Sequence, residues 1–411
     1  MPLDLSARSD ARLFPSMSTQ RIVALILWPI TVVIILQRSI IMGVNGDRTD
    51  DFRPVYDAAL AFLNGRAVYG ENYDTVDPHY LYPPSGTLLM SPMAYIDPER
   101  ARWIFIAVSV VALIASAYLL IRMFGFDARS VAFPVVLFFF FCTETVAHTL
   151  IFTNFNSFVL LGEVAFLMLM LKRRDWWAGV PIGITLAVKP VLAPLLLLPL
   201  LNRQWRVFAG AVGIPLVLTA LAWPISADPV DFIKRTVPYL GEARDYYNSS
   251  IAGNGAYFGV QSWLLYVLRI AFVLMAIFCL WFLYTQYRRT DELLWAATSS
   301  GVLLATSFLV SSLGQGYYSM MLFPLLMTVV RPGSVMRNWP AWLGVVGCMT
   351  FDSFISKRFA AFGRMLEYNK VTWGWSLLLI AIFCVLLFRW LDLRAQRDTP
   401  AVDSPRATVD A

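Results

Sequence analysis

Asn45-Gly46-Asp47-Arg48-Thr49-Asp50-Asp51-Phe52 opens a polar stretch that runs to Glu99 and separates two apolar segments, residues 22–43 and 102–122. Each flank supplies the roughly 20 apolar residues that cross a hydrocarbon core about 30 Å thick, so the polar stretch is a loop held at one membrane face. The pattern then repeats along the chain. With 58% hydrophobic and 15% charged residues and a mean hydropathy of +0.62, no sizeable soluble domain remains. The class is an all-α integral membrane protein, because only hydrogen-bonded helices or closed barrels satisfy the backbone in lipid.

Basic residues orient the spans. Arg8, Arg12 and Arg21 precede the first span, which places the N-terminus in the cytoplasm and residues 45–100 outside. A long first apolar run without a small-residue cleavage site reads as a retained helix, not a signal peptide. Further spans fall at 102–122, 131–150, 156–171, 207–226, 264–286, 293–311, 317–330, 338–355 and 372–390. Residues 176–201 carry basic clusters at both ends and Lys189-Pro190 in the middle. One crossing would put a cluster on the wrong side, so two short helices meeting at Lys189 are expected, a break tolerated where it lines a cavity. The count is about twelve helices, two of them short. Residues 1–393 form one transmembrane domain with outer loops at 45–100 and 228–261. Residues 394–411 have the composition of a disordered cytoplasmic tail.

The net charge of +6 comes from these span-end clusters and not from a basic face, which argues against nucleic acid as a partner. Cys142, Cys279, Cys348 and Cys384 lie in apolar segments without CxxC spacing and read as free thiols.

The first loop holds the chemistry. Val55, Ala58, Ala59 and Phe62 recur at helical spacing, predicting an amphipathic helix at the outer interface with Thr49, Asp50 or Asp51 at its N-cap. Capping is the ordinary role of such an acid. The loop then returns His79, Tyr80 and Tyr82 to the membrane, and the second loop adds Arg244, Tyr246, Tyr247, Asn248 and Asn254. Acids, amides and aromatic faces gathered at one leaflet suit a sugar site, where carboxylates accept hydroxyl hydrogens and rings pack on C–H surface. Glu144 and Glu163 suit a relay or bonds between helices, His148 an interfacial contact, and Arg269 snorkelling. Walker, GxGxxG, HExxH and GxSxG motifs are absent.

The runs TDDFRPVY (49–56), VDPHYLYPP (76–84), NSSIAGNGAYFG (248–259) and GQGYYSMMLFP (314–324), with the Lys189-Pro190 break, resemble glycosyltransferase family 87, polyprenyl-phosphate-sugar-dependent enzymes of the GT-C type. The likeness is greatest to its mycobacterial and corynebacterial arabinofuranosyl-transferring members. It implies a polytopic GT-C bundle in the bacterial plasma membrane with its active site on the outer face. The implied donor is decaprenyl-phosphoryl-β-D-arabinofuranose and the acceptor an arabinan of arabinogalactan or lipoarabinomannan, joined by α-(1→3) branches with inversion. No further cofactor, metal or protein partner is implied. Asp51 carries over as general base, with Asp50 its rival. Lys189 is expected at the donor phosphate, with His79, Arg244 and Tyr247 as further phosphate or donor contacts. Tyr82, Asn248, Asn254 and Tyr317 are expected at the acceptor or sugar. Many mannosyl-transferring relatives carry a histidine where this chain has Gln315-Gly316-Tyr317-Tyr318. That departure favours arabinose over the alternative of a polyprenyl-phosphate-mannose donor. A lipid-sugar flippase is the other alternative, and it would place its polar groups at mid-bilayer.

Overall fold

The computed structural model describes residues 17–44 and 51–398; Asp47, Thr49, Asp50 and residues 399–411 of the tail lie outside them. Among the described residues every regular element is a helix. Helix α1 (Met17–Leu36) continues through a π-helical turn, Gln37–Ile41, into Met42–Val44. The first loop contributes α2 (Phe52–Leu63) and α3 (Pro84–Met90), the latter followed by a 3₁₀ turn at Ser91–Tyr95. Then come α4 (Pro98–Met123), α5 (Ala132–Phe141), α6 (Glu144–Ile151), α7 (Asn156–Leu171) and α8 (Asp175–Val188). A 3₁₀ segment, Pro190–Leu196, leads into α9 (Leu197–Leu201) and α10 (Trp205–Ala222). The second loop holds α11 (Val237–Gly241) and α12 (Ile251–Phe258), and α13 (Ser262–Gln286) and α14 (Glu292–Val310) follow. The 3₁₀ turn Gly316–Leu322, α15 (Phe323–Met327), α16 (Trp339–Met349) and the 39-residue α17 (Ala360–Asp398) complete the chain.

Among the described residues six helices are long and apolar enough to cross a membrane, or seven if α5 and α6 count as one bent span; four shorter apolar helices lie among them. The run expected to cross as one helix at 131–150 is thus an elbow, bent by 63°. Thr143 causes it: its backbone is extended and its hydroxyl donates to the Phe140 carbonyl at 2.7 Å, ending α5 before α6 begins. The span expected at 317–330 is a 3₁₀ and α composite, and the one expected at 372–390 starts at Ala360. Its early polar residues are held by partners, since Lys370 pairs with Glu144 and Glu367, and Glu367 accepts the Phe354 N–H. The apolar face of α2 is covered by protein: Phe52, Tyr56, Ala59 and Phe62 are buried.

One end of the bundle is tied by charge. Glu292 accepts from Arg173 and Asn202, both at 2.7 Å; Asp291 pairs with Arg331; and Arg288 caps the Leu201 carbonyl. Gln204 donates to Asp175 and to the Met170 carbonyl, so the segment from 175 to 204 leaves and returns at this end. The break between its arms falls at Lys189, as its two flanking basic clusters required. The four cysteines are free, Cys279 and Cys348 buried and Cys142 and Cys384 half-buried.

Helices touch through glycine, which lets backbones approach where no hydrophobic drive separates lipid from side chain. A Cβ at Gly374 of α17 would sit 2.5 Å from the Cys348 nitrogen of α16, whereas nothing lies within 4 Å of one at Gly213. Gly374→Leu should therefore cost at least the roughly 3 kcal/mol at the upper end of overpacking and lower the melting temperature of the detergent-solubilised protein. Gly213→Leu should melt like wild type, and equal melting of the two variants would contradict this packing.

Candidate active site

Helix α7 runs from the ionic end at Arg173 to Asn156, about 24 Å at 1.5 Å per residue, and the polar groups of interest gather at its far end. They meet around a turn, Phe152-Thr153-Asn154-Phe155-Asn156, between α6 and α7. Helix α6 ends there in a Schellman motif: Thr153 N–H bonds the Leu150 carbonyl and Asn154 N–H the Thr149 carbonyl, with Thr153 at φ +52°. A β-branched residue in that conformation is strained, and it leaves the Phe152 carbonyl facing outward. Asp51 N–H donates to that carbonyl at 2.7 Å.

This bond decides what Asp51 does. It stands at the N-cap of α2 yet has helical dihedrals and makes no side-chain cap bond, so the capping role expected of it is not what the structure shows. Its Oδ2 instead accepts from Asn154 Nδ2 at 3.3 Å and from the Tyr317 hydroxyl at 3.2 Å. That hydroxyl also reaches Gln315 Oε1, so its one proton is shared between two acceptors. Tyr317 is placed in turn by Thr145 of α6, whose hydroxyl donates to the Tyr317 carbonyl at 2.6 Å.

Lys189 enters from the break after α8. Its Nζ donates to Asn156 Oδ1 at 2.9 Å and lies 4.7 Å from the Tyr318 ring centre and 5.4 Å from that of Tyr317. Among the described residues no carboxylate lies within 4 Å of it, although Asp51 acts on it electrostatically. Asp51 acts likewise on Tyr82. Asp51, Lys189, Tyr82 and Tyr317, each expected from sequence, therefore converge, and Asn154, Asn156, Gln315 and Tyr318 join them. The two asparagines were not anticipated, and the signal for them was a five-residue turn carrying two amides between apolar runs. Beside this group lies a cavity of about 280 Å³ lined by Leu89, Met90, Met93, Phe105, Phe155, Phe158, Ile184 and Val188. Val188, one of its lining residues, directly precedes Lys189 in the chain.

The other expected residues lie elsewhere. His79 spends both ring nitrogens on Glu71 Oε2 and the Thr75 carbonyl, each at 3.2 Å, and meets Tyr73 and Tyr239 edge-on. Burial holds the Glu71 carboxyl above its ordinary range, opposed by bonds from the Tyr80 N–H and His79. Arg244 lies over the Tyr239 ring at 4.6 Å and donates to its hydroxyl at 2.8 Å, within electrostatic reach of Tyr318. Together these contacts fasten the first loop to the second. Asn248 donates to the Arg244 and Ser312 carbonyls and accepts from Ser250 and Gly314 N–H, which uses its whole hydrogen-bonding capacity. Asn254 is buried against Thr372, and Tyr247 is exposed. Glu144 pairs with Lys370 and lies 3.6 Å from His148, Arg269 donates to the Ser311 carbonyl, and Glu163 is fully buried with neither oxygen hydrogen-bonded among the described residues. Asp50 lies outside the described residues. No group of three or more His, Cys, Asp or Glu with metal-binding geometry occurs among the described residues.

The sequence profile of glycosyltransferase family 87 matches residues 80–312, more than half of the chain. An α-(1→3)-arabinofuranosyltransferase of Mycobacterium tuberculosis is 54% identical over 381 residues, 92% of this chain and 88% of the relative. Proteins of the same name from Mycolicibacterium smegmatis and Corynebacterium glutamicum are 50% and 39% identical, over 94% and 91% of this chain and 91% and 90% of their own lengths. The relatives' alignments span more than nine-tenths of the chain and the profile more than half of it, and the chain belongs to glycosyltransferase family 87.

Proposed function

We propose that this glycosyltransferase is an α-(1→3)-arabinofuranosyltransferase, moving arabinofuranose from decaprenyl-phosphoryl-β-D-arabinofuranose to an arabinan acceptor of arabinogalactan or lipoarabinomannan. In this reading the chain is a GT-C bundle of about twelve transmembrane helices, two of them short, in the bacterial plasma membrane, with short interfacial helices in its outer loops. The ionic end and both termini face the cytoplasm, following the positive-inside rule, and the Asp51 end faces out. Its partners are the lipid-linked donor, the glycan acceptor and the bilayer; it needs no metal, further cofactor or protein partner. The observation that carries the proposal is a carboxylate held by an amide and a phenol instead of capping its helix, within electrostatic reach of a lysine that has no acid within 4 Å among the described residues and that follows a residue lining an apolar cavity.

Each part has a chemical task. The cavity takes the first isoprene units of the donor, which places the phosphate at Lys189. Asp51 accepts the proton of the acceptor hydroxyl as that oxygen bonds to the anomeric carbon. The bond from this carbon to the phosphate oxygen breaks with its electron pair, and the configuration inverts. Polyprenyl phosphate leaves as an anion, so a fixed cation assists it and no general acid is required. Asn154 and Tyr317 hold the base in position, and Lys189 lowers the cost of the leaving charge.

Transfer from synthetic decaprenyl-phosphoryl-arabinofuranose to an arabinofuranose oligosaccharide by membranes carrying the protein tests this reading. Asp51→Asn should lower kcat by about a hundredfold to ten-thousandfold, the usual share of a positioned base. Transfer equal to wild type would remove Asp51 from the role. Lys189→Met should lower kcat/KM for the donor by about tenfold to a hundredfold, as loss of a charge-assisted bond to phosphate does, while leaving the acceptor KM alone. An unchanged donor kcat/KM would place the phosphate elsewhere.

A further inference from the structure

Among the described residues four non-glycine residues have left-handed backbones: Thr153, Arg173, Arg203 and Tyr247. Helix ends explain three of them. Arg173 and Arg203, like Thr153, stand just past a helix, where their N–H groups and those of the next residues bond back to carbonyls of the last turn, Arg173 to Met170 and Arg203 to Leu200. Tyr247, at φ +47°, ends no helix. A bulky residue in that conformation is an outlier that persists only where its surroundings over-determine it.

The surroundings of Tyr247 do so. The following residue, Asn248, is clamped by four side-chain hydrogen bonds, and the Ser249 N–H donates to the Gly314 carbonyl at 2.6 Å. On the other side the Tyr246 hydroxyl bonds the Thr75 carbonyl and meets the Tyr239 hydroxyl, and Arg244 lies against both rings. All this fixed structure leaves the Tyr247 ring 76% exposed, edge-on to Tyr246. The backbone that clamps it is continuous with the site: Gly314 is three residues from Tyr317, at most about 10 Å of chain, and Tyr317 bonds Asp51. A strained loop that displays one exposed phenol, and is bonded through Gly314 to the segment carrying Tyr317, has no packing to show for its strain.

We infer that Tyr247 is a stacking platform for a sugar ring of the acceptor glycan, next to the residue that receives the new unit. The inference rests on the reading above that the acceptor is a polysaccharide. The ring face covers apolar C–H surface of a furanose, the phenol and the nearby Asp245 and Arg244 meet its hydroxyls, and the held backbone means that little freedom is lost on binding.

The test uses the full-length protein in lipid nanodiscs and arabinofuranose oligosaccharides of increasing length, with acceptor binding measured by isothermal titration alongside transfer kinetics. Tyr247→Ala and Tyr247→Gly should each raise the acceptor KM and Kd by roughly fivefold to tenfold, the scale of an aromatic contact, with donor KM and kcat within about twofold. Tyr247→Phe and Tyr247→Trp should stay close to wild type. Because glycine relieves the backbone, a glycine variant that binds acceptor normally would show the ring to be dispensable and overturn the inference. A rise in donor KM alone would also overturn it by moving the residue to the donor side. If the wild type transfers nothing from this donor yet binds the oligosaccharide in a Tyr247-dependent way, the donor assignment fails and the platform stands.

Discussion

The bond from the Asp51 N–H to the Phe152 carbonyl, 2.7 Å long, is the contact on which the site depends. It joins the N-cap residue of the loop helix to the turn between α6 and α7. Without it, an acid at this position would fold back onto its own helix N-terminus, the role for which its dipole environment suits it. With it, the carboxylate faces Asn154 and Tyr317. The strain at Thr153, which turns the Phe152 carbonyl outward, is thus local backbone energy converted into side-chain direction. Helix α6 does the rest: its far end sets Asp51, its first turn holds the Tyr317 backbone through Thr145, and the elbow before it separates it from the α5 rod.

Charge is segregated along the bundle. Acids and bases at one end pair closely with each other, as in Arg173 with Glu292 and Arg331 with Asp291. At the other end Lys189 has an amide and two aromatic rings for company but, among the described residues, no acid within ion-pair distance. A cation kept in such a place without a counter-ion is costly in an apolar bundle, and an anionic ligand removes the cost. In the proposed reading the apolar cavity lined by Val188, the residue before Lys189, takes the lipid part of that ligand. Phosphate and hydrocarbon in one molecule describe a polyprenyl phosphate better than a soluble nucleotide sugar.

Much of this was legible in the sequence, for identifiable reasons. The long apolar runs declared their helices, and the Lys189 break was legible because basic clusters at both of its ends cannot sit on one side after a single crossing. Asp51 stood out as an acid at a loop edge. The elbow at Thr143 was hidden, since a lone threonine inside an apolar run reads as helix, and its effect comes from a hydroxyl bonding backward to Phe140. Asn154 and Asn156 were hidden in the same way, as small polar residues in a turn too short to register. His79, Arg244 and Asn248 looked like ligands because composition cannot tell a group facing a substrate from one whose valences are filled by neighbouring loops. Only the fold shows that His79 and Arg244 join Tyr239 in fastening one loop to the other.

The most direct measurement of the central claim is a cryo-EM structure with a non-cleavable phosphonate analogue of decaprenyl-phosphoryl-arabinofuranose. The account predicts phosphonate oxygens within hydrogen-bonding distance of Lys189 Nζ, isoprene density in the cavity lined by Met90, Phe105 and Val188, and the Asp51 carboxylate on the face of the anomeric carbon opposite the phosphonate. A phosphonate bound away from Lys189, or a sugar whose anomeric carbon is out of reach of Asp51, would contradict it.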